Sequence, residues 1–188
     1  MSKHEDDTDL IRRFVETFTI LDERVYTQDD PPDELFVEEI DPSDWQVIRW
    51  RPVDWQTPPE ALGAVRRGSR LPVLYETLVT SYRWPEVNLG RFRLLPNLPA
   101  GDLNPLAKAM FADPVLNATL LPAGYVRFAM AADSYDPLCF DRNHFAEGDC
   151  PIVCFEHESI LMNDTIGKHH IVSATFREWI KVIIDSAT

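Results

Sequence analysis

The sequence has few of the residues that build phosphate-binding loops or membrane segments. It holds only seven glycines in 188 residues and contains no Gly-x-Gly-x-x-Gly fingerprint, no Walker loop and no Gly-x-Ser-x-Gly elbow. No apolar run approaches the roughly 20 residues of a membrane-spanning helix, and the N-terminal Met-Ser-Lys-His-Glu-Asp-Asp has no apolar signal region. We therefore expect no nucleotide cofactor and no membrane association.

Cysteine and basic residues are also scarce. Three cysteines are an odd and small number, which fits a reducing compartment and predicts a cytoplasmic location. The chain has 18 Lys and Arg residues against 31 Asp and Glu residues, so its formal net charge is −13. Such a charge disfavours nucleic acid and anionic membranes as partners, and it is compatible with a basic protein partner.

The negative charge is densest in residues 28–44, which carry eight acidic residues and no basic one. Three prolines interrupt this segment and exclude a long helix. One interpretation is a solvated connector. The other is a negative ridge that binds a basic partner, with aromatic neighbours as anchors. The partner-binding residues predicted in this way are Asp29, Asp30, Asp33, Glu34, Glu38, Glu39, Asp41, Asp44, Phe36 and Trp45.

Hydrophobic periodicity predicts the elements upstream of residue 135. An N-terminal helix capped by Asp9 should run to about Val25, with Ile11, Phe14, Val15, Phe18 and Leu21 on its apolar face. Further helices are predicted over residues 58–67, 71–82, 103–112 and 115–121. Strands are predicted over residues 46–50, 89–95 and 125–130.

The chain is organised around residues 135–180. Two apolar runs, 135–141 and 150–158, flank a turn-prone loop and predict a pair of strands. The second run is apolar on both faces, so we expect it to be covered on both sides. Residues 160–171 are predicted as a connection. A capping box, Thr175 with Glu178, then begins a helix that buries Phe176, Trp179, Ile180 and Ile183.

Helices followed by strands and a closing helix predict an α+β fold with a mostly antiparallel sheet. The length of 188 residues suits a single domain. We expect that domain to have a core of about residues 58–188, to which residues 1–57 add the N-terminal helix and the acidic segment.

Several motifs resemble the SUKH superfamily of fungal cell-wall-synthesis regulators and bacterial immunity proteins. They are Leu71-Pro72-Val73-Leu74-Tyr75, Tyr135-Asp136-Pro137-Leu138-Cys139-Phe140-Asp141, Phe155-Glu156-His157-Glu158 and Ser173-Ala174-Thr175-Phe176-Arg177-Glu178-Trp179. The resemblance covers residues 71–184 and departs from the family pattern at Tyr82-Arg83-Trp84-Pro85, where an Asn-Gly pair is usual. It implies a SUKH-like fold and a binding role.

The residue patterns that could indicate a metal site or a catalytic site are weak. Cys150, Cys154 and His157, with His144, His169 or His170, have residue types that suit zinc. On a regular strand, however, Cys150 and Cys154 would lie about 13 Å apart, so a core role is favoured. A Cys139–His144 nucleophile and a general base in Glu156-His157-Glu158 are further alternatives. We predict no catalytic residue and no metal.

The sequence therefore predicts a non-catalytic binding protein. The resemblance implies an immunity protein that neutralises a toxin, a nuclease being one such target, through an acidic surface. A second candidate face comprises Asp133, Asp136, Asp141, Glu147, Asp149, Glu156 and Glu158. The alternatives are a regulatory interaction module with a non-toxin partner and, less favoured, a Cys/His metal protein or enzyme.

Overall fold

The computed structural model describes residues 3–22, 24–26, 33–37 and 47–187. Within them the α-helices are α1 (Lys3–Leu21), α2 (Gly63–Arg66), α3 (Val73–Ser81), α4 (Asn104–Met110), α5 (Pro114–Leu120), α6 (His157–Asn163) and α7 (Phe176–Ser186). Short 3-10 turns span Asp33–Leu35, Pro59–Leu62 and Arg142–His144.

The strands are β1 (Arg24–Tyr26), β2 (Val47–Arg49), β3 (Val53–Asp54), β4 (Tyr82–Arg83), β5 (Val87–Asn88), β6 (Phe92–Leu94), β7 (Tyr125–Ala131), β8 (Pro137–Asp141), β9 (Ile152–Phe155) and β10 (His169–Ser173). The last six form one sheet in which each strand pairs antiparallel with the next strand in the sequence. Two small antiparallel pairs, β1–β2 and β3–β4, accompany it. The predicted α+β class and mostly antiparallel sheet are confirmed.

The central strands of the sheet are covered on both faces, as predicted. Every residue of β8 and β9 is buried. Ile152 and Cys154 belong to the main core, which also contains residues of α1, α3 and α7. Val153 and Phe155 belong to a smaller cluster with residues of α5 and α6. The sheet therefore lies between two helical layers of unequal size.

Stacked and edge-on aromatic rings form the centre of the main core. The rings of Phe128 and Phe140 stack at 4.1 Å, and Tyr75 and Phe176 both meet them edge-on. Trp179 packs edge-on against Phe128. These rings come from α3, β7, β8 and α7, so they join the sheet to the helices above it.

The N-terminal helix belongs to the same core, although its predicted limits are wrong. It begins at Lys3 and ends at Leu21, so Asp9 lies inside it and pairs with Arg12 at 2.7 Å instead of capping. Its predicted apolar face is confirmed, because Ile11, Phe14, Val15 and Phe18 are buried. Strand β2 lies within residues 46–50, where the sequence predicts a strand.

The helices predicted over residues 58–67, 71–82, 103–112 and 115–121 are present as the Pro59–Leu62 turn with α2, and as α3, α4 and α5. Of the strand predicted over residues 89–95, only Phe92–Leu94 is present, as β6. Gly90 has a φ of 75°, a left-handed conformation that glycine adopts without strain, and it turns the chain between β5 and β6.

The region after Phe155 also differs from the prediction. The strand predicted to continue through Glu158 ends at Phe155, and α6 begins at His157. The connection predicted over residues 160–171 contains the rest of this helix and the start of β10. The carboxylate of Asp136, which lies before β8, accepts the backbone N–H of His157 and so caps the helix from elsewhere in the chain.

Candidate partner-binding surface

The structure describes three of the ten predicted partner-binding residues. Asp33 and Glu34 are exposed on the 3-10 turn, and Phe36 is half-buried and pairs with Trp50 by an isolated bridge. Leu35 between them is fully buried and anchors the turn. The side chains of Asp29, Asp30, Glu38, Glu39, Asp41, Asp44 and Trp45 lie outside the described residues. Binding by this acidic segment stays a prediction.

Three carboxylates of the second acidic candidate face accept hydrogen bonds from backbone N–H groups at the starts of helices or turns. Asp149 Oδ1 accepts the backbone N–H groups of Cys150 at 2.8 Å and Phe176 at 3.0 Å, and Oδ2 accepts that of Arg177 at 3.1 Å. Asp141 accepts the N–H of Asn143 at 3.0 Å and lies 2.7 Å from Nδ1 of His144. Asp136 caps α6. These three side chains therefore stabilise the fold, whereas Asp133, Glu147, Glu156 and Glu158 are exposed.

The cysteines lie in the cores. Cys139, Cys150 and Cys154 are all buried, and burial raises the pKa of each thiol, to about 12 for Cys150 and about 11 for Cys154. Such thiols are poor nucleophiles and poor metal ligands at neutral pH. Among the described side chains there is no group of three or more His, Cys, Asp and Glu residues that could hold a metal ion. His157 and His144 pair with aspartates instead.

Exposed apolar side chains occur on α5, on α6 and immediately before β8. Tyr135 is 70% exposed, Leu161 46% and Met162 82%. Val115 on α5 is also exposed. Large apolar side chains that share one surface are typical of binding sites. We call this region the α5–α6 surface and define it as residues 113–120, 132–136 and 156–164.

A cavity of about 300 Å³ opens on the α5–α6 surface. Its walls are Asp113, Leu116, Arg127, Met130, Tyr135, His157 and Leu161. Arg127 projects from β7 and donates a 2.7 Å hydrogen bond from Nη2 to the backbone oxygen of Ala109. Burial lowers the pKa of its guanidinium, as expected for a cation partly removed from water.

Tyr135 is held in position at the mouth of this cavity. The guanidinium carbon of Arg93 lies 5.5 Å from the centre of its ring, and the His157 ring meets it edge-on at 6.1 Å. His157 is in turn fixed by Asp136, whose Oδ1 lies 2.7 Å from Nδ1. An exposed aromatic ring that is already ordered loses little conformational entropy when a partner covers it.

Acidic residues also occur on the α5–α6 surface. The three segments of the α5–α6 surface contain six acids and neither Lys nor Arg. The six are Asp113, Asp133, Asp136, Glu156, Glu158 and Asp164. Two cations of the neighbouring strands β6 and β7 also reach this surface, Arg93 beside the Tyr135 ring and Arg127 in the cavity wall. An apolar centre with a charged rim is the usual anatomy of a protein–protein interface.

Part of this surface had a signal in the sequence. Asp133, Asp136, Glu156 and Glu158 belong to the second acidic face predicted there. Arg127 was placed on a strand without a role, although an arginine inside an apolar strand is a recognisable exception to binary patterning. The cavity itself depends on α6, which the sequence did not reveal.

In the part of the chain that the structure describes, no helix is both long and apolar enough to cross a membrane. The sequence matches no family model, and it matches no curated protein.

Proposed function

We propose that this protein is a non-catalytic binding protein that captures a basic protein partner on the α5–α6 surface. The observation that carries the proposal is the exposed Tyr135 beside a cavity with apolar walls, on a surface whose three segments contain six acids and neither Lys nor Arg. Aromatic side chains at the centre of an interface supply most of its binding energy. The carboxylates around them attract basic partners and orient them during association.

The Cys and His side chains make interactions within the fold, and this favours a binding role over a catalytic one. The three thiols are buried with raised pKa values, and His144 and His157 each pair with an aspartate that also accepts a backbone N–H. These groups are explained by packing and capping. Tyr135, in contrast, is exposed and belongs to neither core cluster.

The resemblance to the SUKH superfamily favours an immunity protein whose partner is a toxin domain. A nuclease is a suitable target because its active site must be basic to hold phosphate groups. The net charge of −13 would speed association with such a site at low salt. Charge in the predicted acidic segment, residues 28–44, adds to this field. A regulatory module with a non-toxin partner is the alternative.

The test is capture from a lysate of the source cell, with elution by a salt gradient. We compare the native chain with the triple variant Asp133→Asn, Glu158→Gln, Asp164→Asn, which neutralises three exposed acids of the surface. The matched control neutralises three exposed acids elsewhere: Asp54→Asn, Glu60→Gln and Asp185→Asn. Both triple variants change the net charge equally, so only a local effect distinguishes them.

We expect the native chain and the control to retain a partner that salt releases, and the surface variant to lose it. Equal retention by both triple variants would contradict the α5–α6 surface. If co-expression of the protein rescues cells that express the captured partner, the immunity role is supported. A captured partner that is harmless when expressed alone would favour the regulatory alternative.

A further inference from the structure

We infer that the cavity beside Tyr135 receives a tyrosine side chain of the partner. This inference rests on the proposed function and names the chemistry that the surface recognises. The cavity, of about 300 Å³, is at the lower end of the size range of ligand pockets, so it suits one inserted side chain. Leu116, Met130 and Leu161 supply apolar walls, and the thioether of Met130 is a favourable neighbour for an aromatic ring.

The half-buried cation in the cavity wall favours an aromatic ring over an aliphatic group. The guanidinium of Arg127 has one hydrogen bond, to Ala109, while its Nε atom is buried and has no partner among the described residues. A cation that is partly removed from water is stabilised by the face of an aromatic ring. An aliphatic side chain would fill the same space without this attraction.

Charged anchors fit less well. A carboxylate from the partner would approach Arg127 but would meet Asp113 in the cavity wall and the acidic rim outside it. A lysine or arginine would be attracted by the rim but would meet Arg127 inside. Like charges in a partly desolvated site are strongly unfavourable. A neutral ring avoids both conflicts, so the rim can attract basic residues that flank it.

The polar groups of the wall require a donor on the ring. Asp113 uses Oδ1 to accept the N–H groups of Val115 and Leu116, at 2.9 and 3.0 Å. Its Oδ2 receives no hydrogen bond from the residues that the structure describes. A carboxylate oxygen without a donor, at the edge of a cavity with apolar walls, suits the hydroxyl group of tyrosine.

The first experiment titrates the full-length protein with 4-methylphenol, which reproduces the tyrosine side chain, and follows labelled methyl groups by NMR. We expect saturable shifts at Leu116, Met130 and Leu161 with a dissociation constant of about 1 mM. Two analogues isolate the features of the ring. 4-Methylanisole lacks the donor and should bind about fivefold more weakly. 4-Methylcyclohexanol lacks the π face and should bind about tenfold more weakly.

Two tryptophan variants locate the site. Leu161→Trp places an indole in the cavity wall and should abolish the shifts caused by 4-methylphenol. Ile20→Trp introduces the same side chain on α1, at a position that is 65% exposed and lies outside the α5–α6 surface, and should leave binding unchanged. Both positions are exposed, so neither change should unfold the chain.

Absence of saturable shifts would overturn the inference, and so would equal binding of 4-methylcyclohexanol. Tighter binding of phenylacetate than of 4-methylphenol would overturn it as well, because that result would make the cavity an anion site. These outcomes are separate from the proposed function. Partner capture that persists in Leu161→Trp while the acidic triple variant loses it would refute the tyrosine pocket alone. Binding of 4-methylphenol without any salt-sensitive partner would support the pocket and refute capture.

Discussion

Asp136 binds His157 twice across a separation of 21 residues in the chain. Its Oδ1 atom accepts the backbone N–H of His157 at 2.9 Å and lies 2.7 Å from the ring Nδ1. A carboxylate placed before β8 therefore caps α6, which follows β9. Burial alone would raise the pKa of Asp136, but the hydrogen bonds from His157 and Ser134 outweigh it and lower the pKa below its ordinary value.

This cap predicts an acid-sensitive stability. Because the folded pKa is lower than the unfolded value of about 3.9, the unfolded chain binds more protons in that range, and the stabilisation is lost as pH falls through the folded pKa. We expect Asp136→Ala to lower the free energy of unfolding by about 1–2 kcal/mol at pH 7. The difference from the native chain should shrink below about pH 4.

Urea unfolding at a series of pH values measures this difference. Asp133→Ala serves as the control, because Asp133 lies three residues away and is exposed. Its effect should stay within about 0.5 kcal/mol at every pH. A loss of stability in Asp136→Ala that is the same at pH 3 and pH 7 would show that the carboxylate charge has no part in the cap.

The hydrogen bonds at the start of α7 predict how three substitutions rank by the free energy of unfolding that each one costs. Asp149 accepts two backbone N–H groups there and that of the adjacent Cys150, and Thr175 Oγ accepts that of Glu178 at 3.1 Å. We expect Asp149→Ala to cost about 2 kcal/mol and Thr175→Ala about 1 kcal/mol. Glu178→Ala should cost less than about 0.5 kcal/mol, since its side chain is exposed. Denaturant unfolding at pH 7 gives all three values. A Glu178→Ala cost equal to that of Thr175→Ala would mean that the full capping box forms in solution.

The two helix starts show how far the sequence could predict this fold. Thr175 caps α7 from the adjacent position, so its signal is local and the helix was predicted at the correct residue. The cap of α6 comes from Asp136 in a different part of the chain, and the helix follows a buried strand without a Ser, Thr, Asn or Asp before it. A period-two pattern through Phe155 therefore extended the predicted strand into the helix.

The candidate site was harder to predict for the same reason. The acids around it are visible in the sequence, but their grouping depends on which layers cover the sheet. Arg127 alternates with Val126 and Phe128, which face the main core, so its side chain points to the opposite layer. That this layer leaves a cavity follows only from the positions of α5 and α6. Side-chain periodicity in the sequence predicts the face of the strand on which a residue lies, whereas tertiary packing determines what covers that face.

The buried thiols predict a chemical test of the metal and enzyme alternatives. Because the pKa of Cys154 is about 11 and that of Cys150 about 12, only a very small fraction of either is thiolate at pH 8. We expect iodoacetamide to modify none of the three cysteines in the folded protein during the time that modifies all three in urea. Mass spectrometry counts the additions. Rapid modification of folded Cys154 would restore the thiolate hypotheses.

The difference in burial between strands β8 and β10 of the main sheet predicts different free energies of local opening. All five residues of β8 are buried, whereas His169, His170 and Ile171 in the edge strand β10 are exposed. We expect amide hydrogen exchange in β10 to be at least about tenfold faster than in β8, because edge strands open without global unfolding. Exchange measured by NMR tests this residue by residue. Equal protection would imply that another chain covers β10 in solution.

Tyr135 and Phe140 predict a separation of binding from stability within one short segment. Tyr135 is 70% exposed, while Phe140 is fully buried and stacks on Phe128. Tyr135→Ala should change the free energy of unfolding by less than about 0.5 kcal/mol. It should also speed dissociation of the captured partner by about 30-fold, the loss of a hot-spot residue.

Phe140→Leu is the matched variant, for which we expect a change in stability and no change in binding. It should lower the free energy of unfolding by about 1–2 kcal/mol, because the smaller side chain leaves space in the aromatic centre of the core. The folded fraction should keep the native dissociation rate, since Phe140 does not reach the surface. Denaturant unfolding and surface plasmon resonance give the two readouts for each variant. If Tyr135→Ala left the dissociation rate unchanged, the α5–α6 surface would not be the binding site, however acidic its rim.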